Sequence, residues 1–477
     1  MKLLTTLALF LYTFLLAGCA LLQPSTHDLV ITNANVVDVV SGKVFPGKTL
    51  LVDAGVITDI TDTKPGKTYK SDTTIDAQGK YIIPGLWDNH IHLRGGMALE
   101  EENKRLLPLY IANGITTVRD AGGDLYPAIR QWRDEIAAEK LVGPRIISAG
   151  PKLDGPNPIW EGSIPVATVA DVPAALDSLQ RLGVDFVKIY DSTISGEVFL
   201  AIVEQAEARG MKTSGHMPFT ITLGEAIDRG LDITEHLYYA FKAGSAQEDS
   251  LTALVRKSTY TDQPIGFYTA LGWVYSSYDT TTARQFFQRM AKANTAVVPT
   301  LHISRVLNNL QQDDHSTDDY LAYIGPGIQQ TYARRFDSAK RQSAETVQFM
   351  RDLNARFHTM VPAMQQAGVT LLAGSDAGAY NSYVYPGESL HKELELLVEA
   401  GLTPAQALRT ATINGANVMG KAQQYGSVQQ GKVADLVILD NNPLENISHT
   451  QGIHTVIFGG KVYTAEELEH LLESQKE

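Results

Sequence analysis

Short apolar, β-rich runs alternate with polar turns over the first part of the chain, with no helical period. Residues 28–33, 36–40, 49–52, 56–60 and 73–76 are short β-rich runs. Turn residues separate them at Ser41-Gly42, Asp53-Ala54-Gly55 and Gln78-Gly79. The same texture returns at the far end, in 426–428, 431–440 and 456–463, again with glycine turns. Between these ends the pattern changes, and strand-like runs alternate with helix-like ones. Residues 196–210 carry an apolar stripe and stop on Gly210, and Thr403-Pro404-Ala405-Gln406 is a capping box with proline at the first helical position.

The strand candidates of the middle segment end at His92, Arg119, Ser148, Tyr190, His216, His236, Leu301 and Asp376. Eight such β/α steps predict an α/β protein with a (β/α)8 TIM barrel over 81–420. Residues 28–80 and 421–477 are expected to form one small β-sandwich built from both termini. No glycine-rich phosphate loop follows the first strand, which counts against a dinucleotide fold. Residues 238–294 and 302–368 are too long for single helices. The first of these holds Phe267, Tyr268, Trp273, Tyr275 and Tyr278, which either cover a site or pack the insertion's own core.

Composition narrows the function. The chain has 477 residues and a net charge of −13, with 44% hydrophobic and 19% charged residues, so it is ordered and unsuited to sequence-independent nucleic-acid binding. A single cysteine excludes a disulfide framework or a CxxC site. That cysteine sits at a telling position. Lys2, an apolar run and Ala17-Gly18 precede Cys19, which is the layout of a leader over 1–18. Leu16-Ala17-Gly18-Cys19 resembles the bacterial lipobox. The resemblance implies cleavage before Cys19, its acylation, and a lipidated tether over 19–27. Ala20 resembles the outer-membrane sorting pattern of Gram-negative lipoproteins, which implies anchoring in the cell envelope at the periplasmic face of the outer membrane.

Candidate chemistry clusters at the strand ends. His90 and His92 stand at i and i+2, so both imidazoles point to one side of a strand. Lys188 lies near the end of an apolar strand, where an unpaired cation is costly to bury. His216, His236 and Asp376 end later strands. From His92 to Lys188 is 96 residues, 32 for each of three steps, against about 31 per unit in a typical barrel.

In this order the residues resemble the ligand set of the amidohydrolase superfamily. The sequence is similar to its imidazolonepropionase-related, Xaa-Pro-dipeptidase-like branch. Further matches are Pro84-Gly85-Leu86-Trp87-Asp88, Thr116 to Gly122, Pro386 to His391 and Gly431-Lys432-Val433-Ala434-Asp435. The resemblance implies two divalent metal ions. His90, His92 and Asp376 would hold one, His216 and His236 the other, and carbamylated Lys188 would bridge them. Zinc is favoured by the donor types, with manganese, iron or cobalt also suited. It implies hydrolysis of a carbon–nitrogen (amide or peptide) bond by a metal-bridging hydroxide, with Asp376 as proton shuttle and a dipeptide or N-acyl amino acid as substrate. A lactonase or phosphotriesterase-like activity could use the same centre, and a non-catalytic solute-binding lipoprotein is the remaining alternative. Tyr190, Arg119, Tyr238 and His302 are candidate substrate contacts. His391 lies outside the strand-end pattern and reads as structural. The partners expected are a small molecule and, through the lipid alone, a membrane; self-association stays open.

Overall fold

The computed structural model describes residues 26–476. The expected leader, Cys19 and nearly all of the expected tether lie outside the described residues. The tether's expected end, His27, is already the first residue of a strand.

Five strands come from the first part of the chain: β1 (His27–Asp38), β2 (Lys43–Asp53), β3 (Val56–Asp62), β4 (Ser71–Asp76) and β5 (Tyr81–Pro84). Next come β6 (Leu86–His92), β7 (Ile115–Asp120), β8 (Arg145–Ser148), β9 (Leu153–Asp154) and β10 (Ile164–Pro165). Then follow β11 (Val187–Ile189), β12 (Thr213–Gly215), β13 (Ile233–Glu235), β14 (Ala296–Val298) and β15 (Ala377–Gly378). The last three are β16 (Leu436–Leu439), β17 (Ile453–Phe458) and β18 (Lys461–Thr464).

Strands from both ends share one eight-stranded sheet, in the order β18-β17-β16-β5-β1-β2-β3, with β4 also on β1. The joint between the termini is the antiparallel pairing of β5 with β16, Leu436 opposite Pro84 and Leu439 opposite Tyr81. Its alternation has a consequence for packing. Leu436 and Ile438 face a core made with Leu29, Ile31, Leu50, Val52 and Ile82. Val437 and Leu439 face the other way, into a core shared with the middle of the chain through Ile115, Leu107 and Leu394. The small sheet is thus bonded to itself on one face and to the rest of the protein on the other.

The middle segment is an α/β structure with two parallel sheets. One has the order β15-β6-β7-β8 and the other β10-β9-β11-β12-β13-β14. Hydrogen bonds join them at two places. Asp185 N–H donates to Ser148 O at 2.9 Å, and Leu372 N–H donates to Val297 O at 2.9 Å. Helices connect the strands; that at Gly196–Ala208 is capped by Ser195, and that at Pro404–Thr410 carries the predicted capping box at Thr403.

Strand ends differ from expectation by small and informative amounts. β6 and β8 stop where predicted, at His92 and Ser148. β11, β12 and β13 stop one residue early, so Tyr190, His216 and His236 open the following loops. β7 runs one further, to Asp120, and the run expected to end at Leu301 stops at Val298. Asp376 precedes β15 rather than ending a strand. The backbone explains two of these: His236 and Asp376 both have φ 60°, a left-handed conformation that no ladder accommodates. The first insertion folds as four helices, Tyr238–Ala243, Glu248–Ser258, Phe267–Ser277 and Thr280–Ala293. The second contains the helices Leu301–Asn309, Pro326–Lys340 and Ala344–Ala367.

Candidate metal centre

β6 presents His90 and His92 side by side, their rings 5.2 Å apart and both buried. Asp376 reaches them from the loop before β15, where its own N–H donates to His90 O at 2.6 Å. One carboxylate oxygen lies 3.5 Å from His90 Nε2 and 3.3 Å from His92 Nε2. The other lies 3.8 Å from His236 Nε2. His236 Nε2 in turn is 3.0 Å from His216 Nε2. Four histidines and one aspartate, spread over 287 positions from His90 to Asp376, therefore meet in one place.

The outer nitrogens of these rings are held in ways that fix the inner ones. His92 Nδ1–H donates to Gly122 O at 2.9 Å, since a carbonyl only accepts. The Thr300 hydroxyl donates to Pro299 O and so accepts from His236 Nδ1–H at 2.6 Å. His216 Nδ1 is 3.6 Å from Asp191. In His92 and His236 this leaves Nε2 as a free lone pair facing the centre, the arrangement that metal-binding imidazoles adopt. Burial, with nearby cations behind it, holds His92, His216 and His236 well below the usual histidine range, so the rings are neutral donors. Burial pushes Asp376 up, but the polar surroundings, Arg94 among them, outweigh it and keep it below the usual carboxylate range. Asn381 Nδ2 donates to that carboxylate at 2.8 Å.

Lys188 is fully buried on β11, 3.5 Å from the Glu235 carboxylate. Burial lowers its pKa, and Glu235 offsets only part of that. Sequence reasoning did not single out Glu235. It is fully buried, 2.8 Å from His90 Nδ1 and 2.8 Å from Arg119, and accepts from the Ser214 hydroxyl. Burial pushes its carboxyl up, but Arg119, Lys188 and His90 together hold it well below the carboxylate range. The signal was available: a carboxylate between Thr234 and His236 on a buried strand requires charged partners, as Lys188 does. Asp88 was also missed. It accepts from Ser375 N–H at 2.9 Å and the Ser375 hydroxyl at 2.5 Å, bracing the Asp376 loop, and burial raises it to about 6.

The expected substrate contacts separate. Tyr190 and Tyr238 line a cavity of about 430 Å³ together with His216, His236 and Asp376. The Tyr190 ring lies 4.6 Å from that of His216. Arg119 is elsewhere: its Nε donates to Asn89 O at 2.6 Å and its two terminal nitrogens to Ser214 and Glu235, beneath the centre. Every nitrogen faces protein, so it positions Glu235 rather than meeting solvent. His302 lines a different cavity, with Asn113, Asp318 and Lys392. His391 ties the molecule together, its ring nitrogens on Thr450 and on Asn113 O. The aromatics of the first insertion divide between the two expectations. Phe267 and Tyr268 line the 430 Å³ cavity, while Tyr278 stacks on Phe241 and Tyr275 meets Phe349.

The donor set fits a divalent metal. His90 turns Nδ1 toward Glu235 and Nε2 toward the centre, and neither that Nε2 nor the amine of Lys188 has a partner in hydrogen-bonding geometry among the described residues. Donor atoms of His90, His236 and Asp376 all lie within 4.8 Å of one another. Imidazole nitrogen and carboxylate oxygen suit zinc and its first-row neighbours.

The chain is similar to several known proteins. An uncharacterized protein of Mycobacterium tuberculosis is 26% identical over 414 residues, covering 82% of this chain and 87% of its own. Bottromycin amidohydrolase superposes with a TM-score of 0.71 at 23% identity, over 94% of this chain and 89% of that one. A Xaa-Pro dipeptidase with methionine bound in its active site superposes with a TM-score of 0.66 at 20% identity, over 91% and 99%. Residues 81–463 match the amidohydrolase family, and the chain belongs to that family.

Proposed function

We propose that the protein is a metal-dependent amidohydrolase that cleaves a carbon–nitrogen bond in a dipeptide or an N-acyl amino acid. The observation that carries this reading is the convergence of His90, His92, His216, His236 and Asp376, with buried Lys188 beside them, at the floor of an open cavity. His90, His92 and Asp376 would hold one ion, His216 and His236 a second, and a carbamate on Lys188 would join the two. Bound ions would polarise the scissile carbonyl and acidify a water. Asp376 accepts a proton and delivers it to the leaving nitrogen. Tyr190 and Tyr238 orient the substrate from the cavity wall, and the neutral histidines keep their lone pairs for binding. The two parallel sheets, joined at both seams, are read as one (β/α)8 barrel with the cavity at its carboxyl mouth.

The 3.5 Å contact between Lys188 and Glu235 favours a second reading, in which Lys188 stays cationic and one metal is bound. Metal analysis of the purified protein separates the two. Two ions per chain, lost to one or none in Lys188→Ala, supports the bridged centre; one ion in both supports the ion pair. Alongside it, a screen of dipeptides and N-acyl amino acids should give turnover that Asp376→Asn abolishes. Full activity and metal content in Lys188→Ala would overturn the bridging role. We also propose lipid attachment at Cys19 in the cell envelope; membrane retention unchanged in Cys19→Ser would overturn it.

A further inference from the structure

A second recess, of about 160 Å³, opens beside the metal centre. Its wall includes Arg94, Lys152, Trp160, Arg334 and Tyr380. Ile159 lines both this recess and the 430 Å³ cavity, so the two adjoin. Lys152 also reaches toward the first cavity, its Nζ 5.8 Å from the Tyr190 ring. Its side chain crosses Gly122, where a Cβ would lie 2.8 Å from Lys152 Cγ; the same Gly122 supplies the carbonyl that orients His92. Lys152 therefore passes within one residue of a metal ligand.

The cations of this recess have no partners that account for them. Arg94 is 5% exposed and Lys152 2% exposed. Neither they nor Arg334 forms an ion pair among the described residues. Lys152 has no hydrogen-bond acceptor there either. Arg94 spends only its Nε, on Ala379 O at 2.9 Å, and its guanidinium lies 4.1 Å over Trp160. Arg334 lies 5.5 Å over the same ring from the solvent side. The Trp160 N–H is buried without an acceptor in bonding geometry. Two carboxylates lie close by without pairing these cations: Asp124 lines the recess and accepts from Gly95 N–H, and Asp120 accepts from Leu93 N–H and the Ser148 hydroxyl. Glu161 is exposed at the rim. A fourth cation, Arg335, lines the main cavity and donates to Tyr380 O and Asn381.

Burying two basic side chains without a paired counterion is expensive; burial and the neighbouring Arg94 hold Lys152 well below the usual lysine range, and an anion in the recess would complete the site. A single terminal carboxylate calls for one such group, and Arg335 beside Tyr190 already offers it. We infer that the recess takes a second carboxylate, so that the preferred substrate releases an acidic amino acid with its side-chain carboxylate held by Lys152, Arg94 and Arg334. This rests on the amide-hydrolase reading and names its substrate class.

The test compares N-acetyl-glutamate and N-acetyl-aspartate with N-acetyl-glutamine and N-acetyl-asparagine, and the matching alanyl dipeptides, on the metal-loaded protein. The wild type should favour an acid over its amide by at least 30-fold in kcat/KM. Lys152→Met should collapse that ratio below 3, chiefly through KM, and Lys152→Arg should restore most of it. Arg334→Gln, an exposed substitution that spares the core, should lower the ratio several-fold. Equal use of acid and amide by the wild type would overturn the inference, as would loss in Lys152→Met that is uniform across substrates. Calorimetric binding of glutarate and of glutaramate keeps the question separate from catalysis. Tighter binding of glutarate that disappears in Lys152→Met supports the recess even where no amide is hydrolysed, and equal binding of both overturns it.

Discussion

The terminal sheet and the carboxyl ends of the parallel strands follow opposite rules. On β16 the apolar residues serve two cores by simple alternation, and the sheet's charged residues stay toward solvent. A few residues away in space, β6, β7, β11 and β13 bury Asp88, His90, Arg119, Lys188 and Glu235 completely. Burial stabilises the first region. In the second, burial works against charge, and contacts among these side chains and with Ser214 and Ser375 offset it. A fold keeps such a layer where chemistry requires it, which is why violations of pattern locate the site better than the pattern does.

The sharpest break between the regions should be in catalysis. Asp376→Asn keeps size and its Asn381 neighbour but cannot carry a proton, so kcat should fall about 10²- to 10⁴-fold while the thermal midpoint moves little. Steady-state kinetics beside a melting curve checks this; a variant with wild-type kcat would remove Asp376 from proton transfer.

Glu235→Ala tests whether the buried charges form one unit. It leaves Arg119 and Lys188 facing each other without their shared carboxylate. Stability should drop by about 3–5 kcal/mol, the usual result of breaking a buried ion pair from one side. The double variant Glu235→Ala with Arg119→Met should recover part of the loss in urea titrations, and strict additivity would show that the two are independent.

Ile438→Ala probes the other region. Ile438 is fully buried in the sheet's own core, so the expected cost is about 2–5 kcal/mol. The kcat/KM of the folded fraction should stay at the wild-type value, since nothing in that core touches the centre. A fall in kcat/KM without loss of stability would mean that the sheet tunes the site.

These regions were also unequally legible in the sequence. Terminal strands announce themselves through short β-rich runs and glycine turns, and His90 with His92 through their spacing on one strand. Glu235 and Lys152 stayed hidden for different reasons. Glu235 abuts His236, and the eye stops at the histidine. Lys152 sits after β8 in a loop where a lysine ordinarily faces solvent; only the packing of Trp160 and Tyr190 around it makes it a buried cation. Arg119 and His302 were misplaced because a strand-end position says which mouth a residue is near, not whether its side chain turns inward or under. Partner identity across 116 residues, as between Arg119 and Glu235, is a property of the closed structure.

His391 offers the smallest effect and the cleanest sign. It lies between the two regions, bonding Thr450 near the terminal sheet and Asn113 O before β7. Burial lowers it to about 4, against about 6.5 in the unfolded chain. Between those values the unfolded chain binds the extra proton, so stability rises with pH through this window and is lost as pH falls toward 4. The slope is at most about 1.4 kcal/mol per pH unit, giving roughly 2 kcal/mol at pH 5. Asp88 and Asp191, both raised to about 6, act with the opposite sign in the same range. The wild-type curve alone therefore mixes the contributions. His391→Gln keeps an amide donor for Asn113 O but does not titrate, and the informative quantity is its urea-derived stability minus that of the wild type at each pH. That difference should favour the variant by about 2 kcal/mol more at pH 5 than at pH 7.5. A difference independent of pH would mean that the ring binds its proton as readily in the folded protein as in the unfolded chain, and a difference of opposite sign that Asn113 O and Thr450 hold it as a cation.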